Sequence, residues 1–156
     1  MIDCTFENGG KAKLRHVVVD TLILKDSKIL LVKRHKKLSE PEKWGLAGGF
    51  MERDERIEQA AAREALEETG WQVKDMTLMR IVDNPNRPTE DRQNVAFVYF
   101  ATTAKKVGEA DWESHEQKWF DLDELPPKDQ IAFDHAEQIE FYKKYLKENF
   151  KLPVVG

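Results

Sequence analysis

The chain has 156 residues, 40% of them hydrophobic and 35% charged, with a formal net charge of −4. That length fits one domain, residues 1–156, around one core. The acidic balance argues against a general nucleic-acid binder, which normally carries a basic excess, but not against a small anionic substrate, for which local charges and metals matter more.

The single cysteine, Cys4, cannot close an internal disulfide. The first residues lack an apolar run of the kind a signal peptide needs, and no stretch approaches the length of a membrane span. The expectation is a cytoplasmic protein with no membrane partner. Residues 1–13 read as a loose or edge segment ending at Gly9 and Gly10. Residues 16–24 and 28–33, rich in β-branched and aliphatic side chains, read as two strands turning at Lys25, Asp26 and Ser27. Residues 36–43, polar and containing Pro41, read as a loop. The paired Gly48 and Gly49 are expected to interrupt regular structure, and a helix follows from about Glu55 to Thr69, stopped by Gly70. Further strands are expected at 76–83 and 94–104, separated by the polar loop 84–93, with a short one at 118–120. A last helix over about 131–150 carries Ile139, Tyr142, Leu146 and Phe150 at three- and four-residue spacing. Strands and helices mix without regular βαβ alternation, so the expected class is α+β, a mixed sheet with helices on its faces.

On the helix after Glu55, about 100° per residue puts Glu64, Glu67 and Glu68 within one arc of roughly 100°. Ile57 and Ala61 lie along the same side, while Ala62, Ala65 and Leu66 point elsewhere and are free to pack inward. Three carboxylates on one face repel by a few tenths of a kcal/mol per pair in water, ~0.2–0.5. A hard divalent cation reverses the sign of that cost. An isolated acidic helix face is usually just solvated. Here two glycines upstream leave backbone carbonyls open to a ligand, and Arg63 stands beside the acidic set.

Residues 49–71, GFMERDERIEQAAAREALEETGW, match the pattern G-x5-E-x7-R-E-U-x-E-E-x-G-U, with U bulky or aliphatic. Gly49, Glu55, Arg63, Glu64, Glu67, Glu68 and Gly70 fill the fixed places, and Ala65 and Trp71 the U places. The chain thereby resembles the Nudix hydrolases, and ILLVKRH, WGLAGGF and KWFDLDELP extend the likeness over most of its length. Two residues depart from many relatives: Ala47 stands where they have proline, and Asp54 where they have glycine. The first removes a φ restraint; the second puts an aspartate where positive φ is easiest for glycine.

The resemblance implies an α/β/α sandwich and metal-dependent hydrolysis of a diphosphate linking a nucleoside to another group. It implies that Glu64, Glu67, Glu68 and the carbonyl of Gly48 bind Mg2+, or Mn2+ in its place. Glu55 and Arg63 form an ion pair holding loop to helix, Gly49 and Gly70 serve the box's backbone, and Glu52 adds to metal binding or supports the loop. Catalytic roles fall to Glu67, Arg63 and a base from WESHEQKWF, which offers Glu113 and Glu116, with Glu116 preferred. A box glutamate as base is the alternative. Arg34, Arg87 and Arg92 are candidates to clamp phosphate and Trp44 to stack on a base, with Phe50 and Trp112 behind it. The GLAGGF entry, the loop carrying Arg87 and Arg92 and the late IAFDHAEQI resemble members acting on ADP-ribose and nucleoside diphosphate sugars. A nucleoside triphosphate pyrophosphohydrolase is the alternative, and a nucleotide-sensing module without hydrolysis a weaker one. The expected partner is thus a small nucleotide, with a homodimer carried over only as an expectation from that branch.

Overall fold

The protein is described here by a computed structural model covering residues 1–86 and 93–156. The first segment is a hairpin, β1 (Ile2–Thr5) and β2 (Lys11–Leu14), forming its own two-stranded sheet. Residues 2–5 and 11–14 are therefore paired rather than loose, and Gly9, at φ 81°, lies in the turn between them.

The main sheet contains β3 (Val17–Lys25), β4 (Lys28–Arg34), β5 (Trp44–Gly45), β6 (Ala47–Phe50), β7 (Trp71–Val82), β8 (Val95–Lys106), β9 (Ser114–Asp121) and β10 (Val154–Val155). Its main path runs β10-β7-β8-β3-β4-β5, with β6 on β3 and β9 on β4. β3 and β8 pair in parallel and β7 and β8 antiparallel, so the sheet is mixed. β3 and β4 pair only near their turn, through residues 23–25 and 28–30. Beyond it they splay, β6 taking the edge of β3 and β5 that of β4. The glycines expected to interrupt regular structure instead lie in the strand that lines this split.

Alternation along the strands sends side chains to two layers. Leu22, Ile29 and Leu31 pack with Ile139 and Tyr142 of α2 (His135–Glu148). Val19, Ile23 and Leu30 face the other way, against Ala60, Ala61 and Ala65 of α1 (Ile57–Thr69). The α+β sandwich with helices on both faces follows from that division.

Besides the earlier starts of β7 at Trp71 and β9 at Ser114, three details differ from the sequence reading. In α1, Ala62 and Leu66 are half-buried, while Ala61, Ala65 and Glu68 are buried, so part of the acidic arc turns inward. α2 starts at His135 rather than 131, because Ile131 is extended and bridges to Trp44. Leu146 is exposed; Tyr145 packs beside Phe100 in its stead.

Candidate metal and diphosphate cleft

The cleft lies where β3 and β4 part. It has a volume of about 490 Å³ and is lined by Gly48, Gly49, Glu64 and Glu67 together with Asp20, Arg34, Phe133 and His135.

Close approach of β6 to its neighbours requires glycine twice. A Cβ on Gly48 would lie 2.1 Å from the Val19 carbonyl oxygen, and one on Gly49 would lie 2.5 Å from Glu64 Oε1. The Gly48 N–H donates to Glu68 Oε2 at 3.2 Å. A strand residue presents its N–H and C=O on the same edge, so the Gly48 carbonyl also turns away from β3.

Glu68 is 4% exposed, and burial pushes its carboxyl well above the usual carboxylate range against the pull of the Gly48 amide. Burial likewise raises Glu64, despite Arg63 beside it. Arg63 donates through Nε and Nη2 to the two oxygens of Glu55 at 3.1 and 2.9 Å. It also donates to Glu64 Oε1 at 2.8 Å, Glu67 Oε2 at 3.0 Å and the Phe50 carbonyl at 3.0 Å. One guanidinium thus ties Glu55 of the loop before α1 to Glu64 and Glu67 of the helix, raising its own pKa and, by hydrogen bonding, lowering that of Glu55. That loop turns at Asp54 with φ 71°, a left-handed conformation that glycine would reach without the clash of a Cβ.

Among the described residues no three acidic or imidazole side chains already converge as a coordination shell. Arg63 occupies Glu64 and Glu67 instead. The donor set nevertheless fits a hard divalent cation: carboxylate oxygens, an outward backbone carbonyl, and a buried carboxylate, Glu68, which accepts its hydrogen bond from the neutral Gly48 amide. A bound cation favours the ionised form that burial opposes.

Glu113 lines the same cleft, and burial with the nearby Asp111 raises its pKa. Glu116 does not line it. It pairs with Lys33 in the β4–β9 register and meets Lys33 Nζ at 3.5 Å. Lys33 shares its face with Leu31, on the α2 side of the sheet, so Glu116 points away from the carboxylates of α1. This corrects the preference for Glu116. Trp44 is likewise on the α2 side, edge-on to Phe120 at 5.0 Å with Lys33 over its ring, and does not line the cleft.

Arg34 does line it. Its guanidinium lies over Phe133 at 4.8 Å, its Nε donates to the Ser39 carbonyl at 2.8 Å, and burial lowers its pKa. Arg87 and Arg92 lie outside the described residues. Asp20 and His135 were not singled out from sequence. They reach the cleft because β3 and the start of α2 meet there; His135 lies within the late segment IAFDHAEQI, which the sequence reading used only as a whole.

A profile of the NUDIX domain matches residues 14–143. The chain is 36% identical over 135 residues to an ADP-ribose pyrophosphatase of Methanocaldococcus jannaschii, covering 83% of this chain and 73% of that one. A crystal structure of a NUDIX hydrolase from Nitrosomonas europaea superposes with a TM-score of 0.78 at 25% identity, over 94% of this chain and 81% of that one. The NUDIX domain of Shewanella oneidensis NrtR, complexed with ADP ribose, superposes with a TM-score of 0.72 at 26% identity, over 86% and 90% of the two chains.

Proposed function

Since this chain belongs to the Nudix family and is a Nudix hydrolase, we propose that its substrate is ADP-ribose or a related nucleoside diphosphate sugar, cut by water with Mg2+ or Mn2+. The observation that carries this reading is that Arg34 and the α1 carboxylates Glu64 and Glu67 line one cleft. The likeness to an ADP-ribose pyrophosphatase supports the substrate class.

In this reading Glu64, Glu67, Glu68 and the Gly48 carbonyl hold the cation. When bound, it neutralises phosphate oxygens and makes water more acidic. Arg34 binds a phosphate that the acidic wall would otherwise repel. Arg63 keeps the loop before α1 seated on the helix. Glu113 takes the proton of the attacking water, its raised pKa placing it nearer the working range of a general base. The new bond joins water oxygen to one phosphorus, the anhydride P–O bond breaks, and the products are a nucleoside monophosphate and a sugar phosphate.

The test is hydrolysis of ADP-ribose, several nucleoside diphosphate sugars and nucleoside triphosphates side by side, with Mg2+, with Mn2+ and with chelator. Metal-dependent release of AMP and ribose 5-phosphate from ADP-ribose is expected. Preferred release of pyrophosphate from triphosphates would overturn the substrate assignment.

A further inference from the structure

The segment from Trp44 to Phe50 fills the split between β3 and β4, and the residues leading into α2, with His135 at its start, fasten it. Ile131 bridges to Trp44, and the Ala132 N–H donates to the Trp44 carbonyl at 2.8 Å. Leu46 belongs to neither β5 nor β6, so its buried N–H lies outside both ladders. It donates to His135 Nδ1 at 3.0 Å.

A ring nitrogen that accepts carries no proton, so the proton of neutral His135 sits on Nε2, 3.4 Å from Asp20 Oδ1. Asp20 is the register partner of Gly48. A Cβ on Gly45 would stand 3.2 Å from His135 Nδ1, so glycine permits the imidazole's approach. Two residues beyond Leu46, Gly48 meets Glu68.

We propose that His135 is a positioning residue for the metal-binding backbone. By accepting the Leu46 N–H it fixes where Gly48 presents its amide to Glu68 and its carbonyl to the cleft. The inference rests on the reading of that wall as the metal site. His135 acts here as a hydrogen-bond acceptor on the backbone, without touching the reacting atoms.

The experiment compares His135→Leu, His135→Asn and His135→Gln in the full chain. Mn2+ binding is read from the electron paramagnetic resonance of the free ion, alongside kcat, KM and thermal melting. Asparagine carries its oxygen near the place of Nδ1, whereas glutamine reaches toward Nε2. H135L and H135Q are expected to weaken Mn2+ binding about tenfold, the scale for losing a residue that orients a ligand. They should lower kcat more than they raise KM, and H135N should recover most of both losses.

Native Mn2+ affinity in H135Q overturns the proposal, and H135Q serves even should H135L fail to fold. H135N as weak as H135Q overturns it as well. A native chain that binds Mn2+ yet cleaves no diphosphate sinks the substrate reading instead, and leaves the binding comparison among variants intact.

Discussion

Gly48 offers its backbone amide to Glu68 at 3.2 Å, and Glu68 is a carboxylate buried to 4% exposure. One neutral N–H is a small return for desolvating a charge. Glu68→Gln keeps an acceptor for that amide and removes the charge. Metal-dependent hydrolysis should fall on the order of 100-fold or more. The metal-free melting temperature should hold or rise. A variant that keeps full activity would remove Glu68 from the metal site.

The raised carboxyls also predict a pH dependence. Glu68 and Glu64 bind protons more tightly folded than at the unfolded value of 4.5. As pH rises from there through their folded values, the native state holds more protons than the unfolded one, so metal-free stability falls. A divalent cation opposes that protonation. The thermal stabilisation by Mg2+ should therefore grow as pH rises through that window, as melting curves at several pH values with Mg2+ or chelator would reveal. A stabilisation independent of pH contradicts the assignment.

Glu113 and Glu116 separate cleanly. Glu113→Gln should reduce kcat by about 10²- to 10⁴-fold, the range for a lost general base, and flatten the acid limb of the pH–rate profile. Glu116→Gln loses only a half-exposed pair with Lys33, worth about 0–1 kcal/mol before screening, and activity should hold within about twofold. Equal losses in the two variants would exclude Glu113 as the base.

Arg63→Lys keeps the charge but replaces the fork that grips both oxygens of Glu55. A lysine ammonium cannot also reach Glu64, Glu67 and Phe50 with the same geometry. kcat should fall about tenfold, the effect of loosening a support around a site. A steady-state comparison with Glu55→Gln should give a loss of the same kind, since both release the same loop.

Asp54→Gly tests the turn into α1. At φ 71° an L-residue bears strain of about 1–2 kcal/mol, less for aspartate, and glycine costs about 0.4–1 kcal/mol in unfolded-chain entropy. The net expected is a stabilisation of about 0.5 kcal/mol with unchanged activity, measured by denaturant titration. Destabilisation would mean that the exposed pair with Arg53, 3.2 Å between Nε and Asp54 Oδ2, compensates the strain.

Much of the site could be read locally. Glu64, Glu67 and Glu68 share a helical face by spacing alone, and Gly49, Glu55 and Arg63 stand at fixed offsets from them. The placement of Glu116 was itself legible in part. A strand puts residues three apart on opposite faces, so Glu116 and Trp119 could not share one. Deciding which face mattered required Trp119 to be seen packing beside Trp71 on the α1 side.

The sequence by itself determined the family and the acidic helix, because those depend on spacing along one element, fixed by backbone geometry. It also marked Asp54 as the odd residue of its turn, and the chain bears positive φ there. Only the tertiary structure decided that Glu68 is buried, that Glu113 rather than Glu116 meets the cleft, and that His135 reaches Leu46 across 89 residues. Those are relations between a sheet that splits and two helices packed on its opposite faces. Which face a strand residue takes, and what it meets there, is set by pairing with segments distant in the chain.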